Sequence, residues 1–120
     1  MSSSSSNITQ ENLVRKRGDN YSWSITLTSS GTAVDISSDT VTIAVNSEEE
    51  PTDTTNQVLF LTADVATDGV NGVAYFTPTE AEMDITPETY YYEIQRTTST
   101  GQVRTIMCGT FLVEQDIDKS

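Results

Sequence analysis

A period of two constrains this chain more than any other feature. Tyr21, Trp23, Ile25 and Leu27 alternate with Ser22, Ser24, Thr26 and Thr28. Successive side chains of a strand point to opposite faces, so strict alternation assigns one face to a core and the other to water. The same rhythm returns at Val41, Ile43 and Val45, which enclose Thr42 and Ala44. It returns again at Tyr90, Tyr92 and Ile94, which enclose Tyr91 and Glu93. Residues 58–61 and 73–76 are short β-favouring runs. Residues 103–113 read as a long final strand, with Gly109 expected to mark a bulge or kink. Residues 34–36 read as a short extended piece.

Turn chemistry separates these runs. Ser29-Ser30-Gly31, Asp68-Gly69, Asn71-Gly72 and Thr98-Ser99-Thr100-Gly101 are turn signals. Glu48-Glu49-Glu50-Pro51-Thr52-Asp53 is an acidic loop, where a proline and like charges oppose pairing. The one helical signal is a single turn at residues 79–83, with Thr77 or Thr79 as cap. Seven or eight short strands without an amphipathic helix predict a single antiparallel Ig-like β-sandwich over residues 12–120. An extended polar N-terminal arm is expected over residues 1–11, beginning MSSSSSNITQ. Trp23 is expected to plug the space between the sheets.

Composition narrows the function classes. The chain has 120 residues, enough for one domain, and 35% hydrophobic residues, enough for a small core. Eighteen acidic residues against six basic ones give a net charge of −12, and histidine is absent. A surface of that sign repels nucleic acid and anionic membrane, so neither is expected as a partner. No run reaches the ~18 apolar residues of a membrane span. Histidine-based catalysis is excluded, and paired carboxylates fall near one another by chance in so acidic a chain. No enzyme activity and no cofactor are therefore expected. Met1 to Ser6 has neither a basic nor an apolar region, so no signal peptide is expected. The single cysteine, Cys108, lacks both the second cysteine of true Ig domains and a histidine to activate it, and reads as a small buried hydrophobe.

Partner contacts are the remaining candidates. Arg15-Lys16-Arg17 holds three of the six basic residues. It can pair with an acidic patch on a partner, or balance local charge at a solvated strand end. Arg17-Gly18-Asp19 matches an integrin-binding tripeptide, but Gly18 and Asp19 fit better as the turn into the next strand. Ser2, Asn7, Ile8 and Gln10 of the arm are candidate partner-binding residues, because a polar arm can order on a neighbour. Tyr91 faces away from Tyr90 and Tyr92 and can anchor an interface or stack on a sugar. Loop acids Asp53, Asp64, Asp68, Glu48, Glu49 and Glu50 could offer oxygens to calcium, but without any known ligand spacing.

The segment RGDNYSWSITLTSSGTAVDISSDTVTIAV resembles the opening of small β-sandwich domains of bacteriophage virion proteins. The resemblance is to the N-terminal domain of phage baseplate upper proteins and to tail-fibre attachment modules. It is carried by Gly18-Asp19 before an aromatic-rich strand, by Val34-Asp35-Ile36-Ser37, and by the strand at 41–45. GVAYFTPTEAEMD and ETYYYEIQRTTSTGQVRTIMCGTFLVEQDI extend it, so that it covers about residues 14–117. It implies a non-enzymatic structural protein of a tailed-phage virion, assembled in the host bacterial cytoplasm. That protein would be a tail, baseplate or neck adaptor or a head decoration module, binding other virion proteins as a symmetric homo-oligomer. The competing expectation is a carbohydrate-binding or host-surface adhesion module using exposed tyrosines.

Overall fold

The computed structural model describes residues 9–10, 12–49 and 56–115. The expectations placed on Ser2, Asn7, Ile8, Glu50 and Asp53 lie outside them. The described residues form an all-β architecture of three sheets in a sandwich-like arrangement. The strands are β1 (Thr9–Gln10), β2 (Leu13–Lys16), β3 (Trp23–Thr26), β4 (Thr28–Ser29), β5 (Thr32–Ala33), β6 (Thr40–Asn46), β7 (Gln57–Thr62), β8 (Val73–Phe76), β9 (Glu88–Thr97) and β10 (Val103–Glu114). The large sheet runs β1-β10-β9-β6-β7, and β2 continues the β1 edge along β10. β3 pairs with β8 opposite it, and Asp64 bridges to Tyr75 to extend that small sheet. β4 and β5 make a separate hairpin.

Alternation explains the core. Val41, Ile43 and Val45 of β6 are fully buried, as are Ile94 of β9 and Phe111 of β10. Tyr90 and Tyr92 are buried on the same face, with Leu59 and Leu61 of β7 beside them. From the small sheet come Ala74 and Phe76. Connecting segments close the ends with Ile36, Met83 and Ile85. Trp23 joins the layers as expected: its ring lies 5.4 Å from Phe76 on its own sheet and 6.4 Å from Phe111 across the gap. Aromatic pairs at such spacing add about 0.5–1.5 kcal/mol each beyond the area they bury.

Side-chain bonds fasten the connections between strands. Arg96 donates from Nε to Asp39 Oδ2 at 2.6 Å, with the Asp39 side chain 7% exposed. At the single turn after β8, Thr79 Oγ1 accepts from the Glu82 amide at 3.1 Å, and Glu82 Oε1 accepts from the Thr79 amide at 2.8 Å. This is the reciprocal box expected of a helical start, and it makes Thr79 the cap. The turn at 68–72 is a short 3-10 segment (Gly69–Asn71) ended by Gly72 at φ 79°. A side chain there would place its Cβ 2.5 Å from the Leu27 carbonyl oxygen, so only glycine fits.

Four expectations need correction. The sandwich is not purely antiparallel: β1 and β2 run parallel to β10. The chain leaves β2 for the opposite sheet instead of turning back beside it. The bulge in β10 lies between Thr105 and Met107, while Gly109 stays in register with Tyr92. The strand expected over 21–28 is broken and starts later: Trp23–Thr26 form β3, Leu27 donates to the Gly72 carbonyl and accepts from the Val34 amide, and Thr28 already belongs to the β4–β5 hairpin. Residues 34–36 join no strand; Asp35 Oδ1 instead accepts from the Ser37 amide at 2.9 Å in a local turn.

Candidate functional site

The N-terminal edge of the large sheet gathers the basic cluster. Along β2, Leu13 lies opposite Phe111, Val14 opposite Leu112, Arg15 opposite Val113 and Lys16 opposite Glu114. Alternation therefore turns Leu13 and Arg15 to the core side, and Val14 and Lys16 to the outer face. Lys16 Nζ stands 3.8 Å from Glu114 Oε1, and Arg17 Nε donates to Asp84 Oδ1 at 2.8 Å. Both pairs are half-exposed, where such bonds contribute about 0–1 kcal/mol. They supply the local charge balance that was one of the two readings of this cluster.

Arg17, Gly18 and Asp19 form the expected turn. The Gly18 amide bonds the Met83 carbonyl at 2.8 Å, and the Asp19 amide bonds the Lys16 carbonyl at 3.1 Å. Gly18 stands at φ 83°, which glycine adopts without strain.

Arg15 behaves differently. Only 6% of it is exposed. Its guanidinium carbon lies 3.7 Å from the Tyr21 ring centre and 4.5 Å from that of Trp23. Nη2 donates to the Tyr21 carbonyl. Stacking of this kind is worth about 0.5–2 kcal/mol. Arg15 Nε and Trp23 Nε1 are buried donors with no acceptor. An unmet buried donor costs about 1–3 kcal/mol. Burial lowers the pKa of Arg15, and Tyr21 and Asp19 oppose that shift. The side chain lines a hollow of about 140 Å³ with Leu13, Val14, Tyr21, Trp23 and Phe111.

Tyr91 sits elsewhere. It faces outward on β9, half-buried between Asn46 of β6 and Thr110 of β10. Thr110 Oγ1 in turn donates to Asn12 Oδ1 at 2.8 Å. Tyr91 and Arg15 thus occupy opposite faces of one sheet. Gln10 pairs with Cys108 through β1. Cys108 is half-buried on the outer face, opposite Glu93, and not in the core.

The loop acids are engaged locally. Asp64 Oδ1 accepts from the Ala66 amide at 2.9 Å, and its Oδ2 accepts from the Thr67 hydroxyl at 2.8 Å. These bonds lower its pKa. Asp68 Oδ2 accepts from the Tyr75 hydroxyl at 2.6 Å, and this bond raises the tyrosine pKa. Glu48 accepts from Asn56 at 2.9 Å. Among the described residues no three metal-ligating side chains cluster. No helix among them is long and apolar enough to cross a membrane.

Tyr21 and Trp23 are site residues that strand patterning assigns to the core alone. The available signal is parity: if Leu13 points inward, Arg15 does too, and a cation there needs aromatic faces.

No protein-family model matches the chain, and no curated protein matches it. Among solved structures, the chain is similar to CopC from Methylosinus trichosporium OB3b, with 15% identity and a TM-score of 0.41 over 75% of this chain and 74% of that one. No residue role is carried over from a likeness of that degree.

Proposed function

We propose that this protein is a non-enzymatic structural module of a tailed-phage virion. It would serve as a tail, baseplate or neck adaptor or as a head decoration protein, binding other virion proteins in symmetric copies through its N-terminal edge. The observation that carries this reading is the placement of β1 (Thr9–Gln10) and β2 (Leu13–Lys16) along the outer edge of the large sheet, beside the aromatic-lined Arg15 hollow. A segment on a sheet edge can extend onto a neighbour's strand, and repeated weak contacts gain strength from symmetry. Strand order supports the finer description of an Ig-like sandwich, with β10, β9 and β6 facing the β3–β8 pair. The resemblance of residues 14–117 to phage sandwich modules supports the virion. An acidic surface supports protein partners over nucleic acid or membrane.

Sedimentation of the purified chain with tail and capsid fractions tests this. Co-sedimentation that is lost in the double variant Lys16→Glu, Arg17→Glu is the expected result. A chain that stays monomeric and never sediments with particles contradicts it. The second reading, a carbohydrate or host-surface adhesion module, draws on the outward ring of Tyr91. It predicts glycan-array binding that Tyr91→Ala removes.

A further inference from the structure

Eighteen acidic residues surround few cations in this chain. Lys16, Arg17 and Arg96 each hold a carboxylate of the fold. Arg15, the most buried cation among the described residues, holds none there. Its Nε and the Nε1 of Trp23 are both buried donors without acceptors, and both side chains line one hollow. We propose that this hollow takes a carboxylate, the side chain of a glutamate or aspartate presented by a partner protein. Arg15 Nε and Trp23 Nε1 would donate to its oxygens. The inference rests on the N-terminal edge being the docking edge, and it names the chemistry that edge recognises.

Three properties select the ligand. Two N–H donors beside a positive charge match an ionised acceptor, since Asp19 acts on Arg15 electrostatically but forms no ion pair with it. A space of about 140 Å³ is below the range of small-molecule pockets and suits one side chain. The rim carries an exposed ring: Tyr21 is 58% exposed. A polypeptide can cover that rim while it inserts its acid; a free carboxylate gives up hydration without that gain. Tyr21 lies outside the strands and covers the guanidinium. Its ring must swing aside for the donors to be reached.

Trp23 is the chain's one tryptophan, so its indole N–H gives a single resonance in the labelled full chain. The probes are acetyl-glutamyl-N-methylamide, the matching glutaminyl compound, and propionate. The expected result is a saturable indole shift with the glutamyl probe, half-complete at roughly millimolar concentration. The glutaminyl probe and propionate should bind at least about tenfold more weakly, the factor that separates one decade of affinity. Arg15→Met should abolish the shift, and Tyr21→Ala, which uncovers the donors, should preserve or tighten it. No saturable shift with the glutamyl probe overturns the proposal, as does an equal shift from the glutaminyl one. Binding that survives in folded Arg15→Met also overturns it. Propionate binding as tightly as the glutamyl probe overturns the protein source. If Arg15→Met fails to fold, the Tyr21→Ala chain decides between the two amide probes. A silent indole in a chain that still sediments with particles removes this inference and leaves the assembly reading standing.

Discussion

Replacing Phe111 by alanine should cost about 4 kcal/mol of folding stability. The side chain is fully buried, and it lies against rings from both sheets, Trp23 at 6.4 Å and Tyr92 at 6.5 Å. Phe→Ala changes in well-packed cores cost about 3–5 kcal/mol, combining lost transfer energy with the cavity left behind. Two aromatic contacts place Phe111 in the middle or upper part of that range. A domain of this size has roughly 5–15 kcal/mol in total, so the variant should remain folded but close to its limit. With a urea slope of about 1–3 kcal/mol/M, the midpoint should fall by roughly 1–4 M. Urea unfolding followed by Trp23 fluorescence measures this directly, because the reporter touches the deleted ring. Val103→Ala, at a site 60% exposed, is the control and should stay within about 0.5 kcal/mol. A midpoint loss for Phe111→Ala no larger than the control's, at unchanged slope, would refute the packing of the two sheets on this residue.

Gly72→Ala should destabilise by at least about 1–3 kcal/mol, because the new Cβ meets the Leu27 carbonyl oxygen at 2.5 Å in a left-handed conformation; thermal unfolding reads the loss. Asp39→Asn should cost about 1–3 kcal/mol by weakening the pair with Arg96, which is one-quarter exposed, whereas Lys16→Met should change stability by less than about 0.5 kcal/mol; equal effects would contradict the burial difference. The Asp64 carboxylate is held below its usual pKa of 3.8 by Thr67 and Ala66, so its contribution is present above that value and disappears as pH falls through the lower folded one. The protection of the Ala66 and Thr67 amides, relative to an unstructured peptide at the same pH, should fall in that acid window, and Asp64→Asn should remove the pH dependence of that fall.

Much of the fold was legible because burial follows residue parity. Residues 73–76 read as a strand and form β8, since Ala74 and Phe76 alternate with half-buried neighbours between two turns. Tyr90 and Tyr92 turned inward and Tyr91 outward for the same reason. Pairing partners were not legible. Nothing local in Thr9–Gln10 or Leu13–Lys16 reveals that they join β10, almost a hundred residues later. The bulge near Ile106 was hidden because its residue is β-branched, while Gly109 looked the better breaker. At the candidate site, charge alone made Arg15, Lys16 and Arg17 look alike. Only the sheet separates them, putting Arg15 on the core side and the other two toward water. Alternation alone starts the strand at Tyr21, whereas β3 begins at Trp23 and the Tyr21 ring lies against Arg15.

A density map of the whole particle tests the central claim most directly. The account predicts repeated copies of this sandwich in the virion, each with residues 9–17 against a neighbouring protein and an acidic side chain of that neighbour over Arg15. A particle map with no such sandwich, or one in which the N-terminal edge faces solvent in every copy, would contradict it.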